Sequence, residues 1–195
     1  MSFITGTNVE LIYANTTSGT AKASFTTEVA INDTAGMGPI AHLPPDFWVA
    51  NNNGLGRVVH ITARGILSST ATPTYTFTVR LGAAGSITAA IVLGSVAVTT
   101  GSGVTNQLFT IDGDIVMRTI GAAGANSTVQ GIGWFESPGI ASPFGTAMFG
   151  GAASPGTVAT VDTSITNYIN FDVTCSASAA GNSIQLLQLL VFGLN

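Results

Sequence analysis

Apolar residues recur at every second position through most of the chain, the periodicity of strands that bury one face. Val59, Ile61, Ala63, Gly65 and Leu67 alternate with Val58, His60, Thr62, Arg64 and Ile66. Tyr75, Phe77, Val79 and Leu81 then alternate with Thr74, Thr76, Thr78 and Arg80. The intervening Ser68 to Pro73 is rich in turn formers, so these two segments predict an antiparallel hairpin. A second hairpin is predicted between Leu108 to Arg118 and Thr128 to Glu136, across the Gly- and Ala-rich residues 121–126. A third joins Ile169, Phe171, Val173 and Cys175 to the run from Ile184 to Leu194. Weaker strands at Val9–Ala14, Ala23–Ile31, Pro39–Leu43, Ala89–Val98 and Thr157–Val161 bring the total to about eight to ten, the signature of a sandwich or barrel. Helix is nearly absent, its best candidate being one turn from Pro44 to Val49.

The final strand departs from alternation. Strict pleating puts Ile184, Leu186, Leu190 and Phe192 on one face and Leu187, Leu189 and Val191 on the other, so both faces call for burial. That predicts a covering layer, either a second copy of the chain or the loop from Ser137 to Pro155. The loop is long and rich in Pro and Gly, which marks it as an excursion from the core and a candidate contact segment. The expected architecture is all-β: an antiparallel β-sandwich of the jelly-roll kind. Residues 1–22 supply an N-terminal arm and the first strand, and residues 23–195 form a single sandwich domain.

Composition sharpens this picture. Of 195 residues 46% are apolar and only 7% charged, against roughly a quarter charged in an average soluble chain. Such a surface suits permanent association more than a free monomer. Five Lys and Arg against nine Asp and Glu give a net charge of −4, which argues against direct binding of nucleic acid. The mean hydropathy is high at +0.48, yet Gly, Thr, Ser or Asn interrupts every run before it reaches a membrane-spanning length. Met1 to Asn15 contains no Lys or Arg and includes Glu10, unlike a secretory signal. The single Cys175 lies in an alternating strand and is expected as a buried small hydrophobe.

Candidate chemistry is sparse. His42 and His60 are too few for a metal or acid–base centre, and no nucleophile elbow, zinc-protease helix or phosphate loop occurs. No catalytic residue, metal or cofactor is expected. Asp112 and Asp114 form the one compact carboxylate pair and share a strand face. A hard cation or a glycosidase pair would use that spacing, but the favoured reading is a polar face with Arg118 as ion-pair partner. Arg64 and Arg80 are expected to meet carboxylates across a subunit boundary. Trp48 and Trp134 would suit sugar stacking, although their settings favour packing against the core.

The segments Leu43 to Trp48, Gly56 to Gly65, Thr72 to Thr74, Arg80 to Gly82, Gly121 to Gly124 and Gln130 to Gly133 resemble β-rich virion structural proteins of tailed bacteriophages. The resemblance spans Leu43 to Glu136 and implies a jelly-roll or related sandwich. It further implies a capsid decoration protein made in the host bacterial cytoplasm and bound, as a homotrimer, to the major capsid protein on the outer surface of the phage head. No active site comes with it. The contact surface expected for such a particle component is Phe3, Ile4, Phe144, Phe149, Leu187, Leu189 and Val191, with Arg64, Arg80, Asp112, Asp114 and Arg118 as its polar part. The alternative is a tail-tip or fibre receptor- or carbohydrate-binding module, with Trp48, Trp134 and the long loop as its site.

Overall fold

A computed structural model describes residues 9–32, 37, 39–49, 57–85, 87–122, 127–142, 145–149 and 158–194. The strands are β1 (Val9–Ala14), β2 (Lys22–Ala23), β3 (Val29–Ala30), β4 (His42–Leu43), β5 (Val58–Ser69), β6 (Thr74–Gly82) and β7 (Ala90–Thr100). They continue as β8 (Val104–Thr119), β9 (Ser127–Glu136), β10 (Ile140–Ser142), β11 (Thr146–Met148), β12 (Ala159–Val161), β13 (Asn167–Cys175) and β14 (Ser183–Leu194). A 3-10 turn at Phe47–Val49 is the only helical element longer than one residue among the described residues. The strands build an antiparallel sandwich of two sheets. The larger sheet runs β1-β14-β5-β8-β9-β11, with β2 beside β14 and β12 beside β9; the smaller runs β10-β7-β6-β13-β3, with β4 beside β13.

The alternating pattern decides which side of each strand faces inward. Val59, Ile61, Ala63 and Leu67 of β5 are buried, as are Tyr75, Phe77, Val79 and Leu81 of β6. The two layers meet through rings: Phe77 of the smaller sheet lies 4.6 Å from Phe135 and 5.6 Å from Phe109 of the larger, centroid to centroid. Cys175 is buried in the same core, its thiol donating to the Ala177 carbonyl at 3.2 Å.

Two of the three expected hairpins are not hairpins. β8 and β9 do pair, but β5 and β6 lie in different sheets, and so do β13 and β14. The turn after Ser69 carries the chain from one layer to the other, where β6 pairs with β7 and β13. Alternation fixes which face is buried and leaves open which strand bonds alongside, so the register partner was outside its reach. The segment from Ser137 is not a free excursion either. Its β10 pairs with β7 and its β11 with β9, so it contributes a strand to each sheet.

A β-bulge between Leu186 and Gln188 redraws the two faces of the last strand, whose outer side still carries the half-buried Leu190 and Phe192. The extra residue shifts the pleat by one, which sends Ile184, Leu186, Leu189 and Val191 all into the core. Asn15 holds the bulge: its side-chain amide donates to the Leu187 carbonyl at 2.9 Å and its side-chain oxygen accepts from the Leu189 N–H at 2.5 Å. Leu189 and Val191, expected at a subunit contact, have no exposed surface, and Phe149 is buried as well. Leu187 is half-buried at the bulge. Phe3, Ile4 and Phe144 lie outside the described residues.

Candidate functional site

Antiparallel register assembles one polar cluster at the centre of the larger sheet's outer face. His60 of β5 stands opposite Asp114 of β8, and Thr62 stands opposite Asp112. His60 Nδ1 is 2.8 Å from Asp114 Oδ1, and its Nε2 is 3.2 Å from Thr62 Oγ1 and 3.7 Å from Asp112 Oδ2. Thr62 Oγ1 in turn donates to Asp112 Oδ2 at 3.1 Å. The same rows continue outward. Asp112 faces Trp134 of β9, which faces Met148 of β11, and Asp114 faces Ile132. On the other side His60 is opposite Phe192, the ring centroids 6.1 Å apart. Arg64, two positions along β5, donates to the Gln188 side chain at 3.1 Å.

Trp134 is the distinctive member. It is 43% exposed, beside the exposed Ile132 and Met148, whereas Trp48 is 1% exposed and plugs the core. An indole on an open sheet face beside carboxylate, imidazole and amide groups is equipped to stack on an apolar ring face while its neighbours bond polar substituents. The order carboxylate, imidazole, hydroxyl in Asp114, His60 and Thr62 is also that of a nucleophilic triad. One observation argues against that use: Thr62 is only 6% exposed, which leaves its hydroxyl little access to a substrate. No group of three or more His, Cys, Asp and Glu among the described residues is placed to hold a metal ion.

Comparison with known proteins gives little to set beside this geometry. No protein family and no curated protein matches the chain. Among solved structures, the CBM2 module of the evolved Dit of Lactobacillus casei BL23 phage J-1 is similar at a TM-score of 0.35 and 11% identity, over 97% of each chain. Lectin I from Ulex europaeus, solved in complex with the methyl glycoside of α-L-fucose, is similar at a TM-score of 0.36 and 10% identity, over 96% of this chain and 92% of that one. Neither likeness is close enough to bear on what this chain binds.

The charged residues singled out in the sequence divide between two places. Arg64, Asp112, Asp114 and Arg118 share the outer face of the larger sheet, but Arg118 bonds the Gln130 side chain at 2.8 Å rather than either aspartate. The partner of the aspartate pair is His60, a residue whose own strand pattern could not reveal it. Arg80 is on the smaller sheet and meets its carboxylates inside the chain. It makes a bidentate contact with Glu28 at 3.0 Å and lies 3.1 Å from Asp172. Asp172 is fully buried, and burial, reinforced by Glu28, pushes its pKa up to about 7 against the opposing pull of Arg80 and Asn170.

A cleft of about 890 Å³ opens at the sandwich edge between β1 and β4, lined by Glu10, His42, Pro44, Asp46, Phe47 and Arg57 among others. Two of its charged groups are already engaged with each other: Arg57 lies 3.4 Å from Glu10, and it lies 4.8 Å over the Phe47 ring. Phe47 is buried beneath that guanidinium, so the cleft presents no open aromatic face of the kind Trp134 offers. The outer face of the larger sheet is the stronger site. No helix of the described residues is long and apolar enough to cross a membrane.

Proposed function

We propose that the chain is a carbohydrate-binding module of a tailed-phage virion, of the tail-tip or fibre receptor-binding kind, which binds its ligand without turning it over. The observation that carries the reading is Trp134, exposed on the outer face of the larger sheet and in register with Asp112, near Asp114, His60 and Thr62. Saccharides present alternating apolar C–H faces and hydroxyl edges. An open indole flanked by hydrogen-bond acceptors matches both at once. The virion setting rests on the resemblance of Leu43 to Glu136 to phage structural proteins.

The test is a screen of the intact protein against an array of bacterial surface glycans, with Trp134→Ala as control. Binding that disappears in the variant while its circular dichroism stays native supports the reading. Binding unaltered by Trp134→Ala overturns it.

A second reading has one observation in its favour. Val9 and Leu11 are exposed on β1, at the edge of the larger sheet. An apolar edge strand suits packing against another subunit, as in a homotrimeric decoration protein seated on the major capsid protein. Copy number separates the two: hundreds per particle favour the head surface, and a handful favour the tail.

A further inference from the structure

The hydrogen bonds around His60 do not balance for a neutral ring. Three contacts link Asp114, His60, Thr62 and Asp112 in a chain. The ionised carboxylates supply no hydrogen and the Thr62 hydroxyl supplies one. A neutral imidazole supplies one more, and an imidazolium two. All three contacts are therefore made together only when His60 is protonated. With a neutral ring the Thr62 hydrogen serves either His60 Nε2 or Asp112 Oδ2, and the other acceptor is left for an outside donor.

We propose that this face binds a neutral saccharide through a pair of neighbouring hydroxyls, stacked on Trp134, and that protonation of His60 releases it. The proposal rests on the carbohydrate-binding reading and adds the ligand class and its control. Ligand hydroxyls are donors, and one of the pair provides the single donor this cluster lacks in its neutral form, while the other bonds a free carboxylate oxygen. Asp112 is in the row that leads to Trp134, and Asp114, with its side chain 53% exposed, is in the next row, opposite Ile132. Acidic sugars are disfavoured, because Asp112 and Asp114 adjoin Trp134, whereas Arg64 and Arg118 on the same face are engaged by Gln188 and Gln130.

On protonation, His60 satisfies Asp114 and Thr62, Thr62 satisfies Asp112, and the imidazolium also faces Asp112 Oδ2 at 3.7 Å. Protonation thus closes the one acceptor that the neutral cluster leaves open, and a sugar hydroxyl that used it has to displace a charge-assisted bond to bind. The titratable and charged groups facing His60 are Asp112 and Asp114 from β8 and Arg64 on its own strand, with Glu136 farther across the face. From β14 only Phe192, Leu190 and Gln188 face it.

Tryptophan fluorescence tests this on the whole protein, since Trp48 is buried and Trp134 is the indole a ligand can reach. The probes are cellotriose, maltotriose, mannotriose and galactotriose, with a glucuronic acid trimer as the acidic comparator. The expected result is quenching by at least one neutral trisaccharide at pH 8, about tenfold weaker affinity at pH 5, and no quenching by the acidic trimer. His60→Gln keeps a donor and an acceptor but does not titrate, so its affinity is expected to be equal at the two pH values. Asp172→Asn, on the other sheet, is expected to retain the wild-type pH dependence, which separates the gate from that residue's own titration. Ring nitrogen NMR at pH 8 is expected to show His60 carrying its proton on Nδ1.

Affinity independent of pH in the wild type, or still pH-dependent in His60→Gln, overturns the proton gate. If Trp134→Ala then still abolishes binding, the carbohydrate-binding reading stands without it. A proton on Nε2 at pH 8 likewise overturns the gate, and tighter binding of the acidic trimer overturns the ligand class. No quenching by any probe at either pH overturns the inference, while the glycan array decides the broader reading.

Discussion

Gly113 of β8 and Gly133 of β9 stand opposite each other on the inward side of the larger sheet, and Leu93 of β7 reaches across from the other layer into the notch between them. A methyl group added at Gly113 would lie 2.8 Å from Leu93 Cδ2, 3.0 Å from the Ile132 carbonyl oxygen and 3.2 Å from the Gly133 Cα. Its worst contact is thus the tip of a side chain, which must retreat by about 0.6 Å to reach ordinary contact at 3.4 Å. Leu93 has no exposed surface and would have to move within the core, so Gly113→Ala is expected to cost about 1–3 kcal/mol. Leu93→Ala alone is expected to cost about 2–5 kcal/mol through lost packing and the cavity left behind. In the double variant the new methyl occupies part of that cavity and meets no Cδ2, so the losses should fall short of additivity by about 1–2 kcal/mol. Gly133→Ala meets the same side chain and a closer backbone atom as well. Its methyl would lie 2.7 Å from Leu93 Cδ2 and 2.6 Å from the Asp112 carbonyl oxygen, and only the first contact is relieved by truncating Leu93, so its rescue should be partial. Equilibrium urea unfolding of the four-member cycle, read as midpoint shifts at constant slope, measures the coupling. Additivity within about 0.3 kcal/mol for Gly113→Ala with Leu93→Ala would refute the notch.

Three further outcomes are expected. Trp134→Ala should change unfolding stability by less than about 1 kcal/mol, because the ring is on an open face, whereas Trp48→Ala should cost about 3–5 kcal/mol; thermal melts of the two variants check this. Asn15→Ala removes both side-chain bonds that hold the β14 bulge and should cost about 1–3 kcal/mol, with hydrogen exchange at the Leu189 amide accelerated. Asp172 binds its proton more tightly folded than unfolded, so its contribution to stability is complete below pH 4 and is lost as pH rises toward 7. The slope of stability against pH over that window should therefore be more negative in the wild type than in Asp172→Asn, and urea midpoints at pH 4.5 and 7.5 measure the difference.

Alternation located β5 to β9, β13 and β14 because each buries one face in the sandwich, and a period of two is what such burial writes into a sequence. What it left open followed from what a pleat does not encode. Pairing partners are set by how the layers stack, so β5 read as the hairpin partner of β6 when its neighbours are β8 and β14. The His60–Asp114 contact depends on that pairing and was hidden with it. The bulge in β14 did leave a trace. Gln185 and Gln188 fall on opposite faces under strict alternation, but one extra residue between them puts both on the outer face and gathers Ile184, Leu186, Leu189 and Val191 inside. Trp134, expected to pack against the core, is instead exposed, and its phase carried that signal: it alternates in phase with Gln130 and Glu136 and out of phase with the buried Val129 and Phe135.

The low charge of the chain gives the candidate face added weight. Only fourteen side chains are Asp, Glu, Lys or Arg, nine acidic and five basic. Five of them, Arg64, Asp112, Asp114, Arg118 and Glu136, stand on the outer face of β5, β8 and β9 together with His60. Solubility alone does not explain this concentration, because a charge placed for solvation works equally well on any exposed strand. Nor does fold stability, since exposed ion pairs contribute little and the one buried ionic cluster is on the opposite sheet. The glycines of the notch lie directly behind the same residues: Asp112 and Asp114 flank Gly113, and Ile132 and Trp134 flank Gly133. Without side chains at those two positions the strands pack closely on Leu93, and a closely packed backing limits how far β8 and β9 can shift relative to each other. That backing keeps Trp134 in register with Asp112, the spacing on which stacking and hydrogen bonding to one ligand both depend.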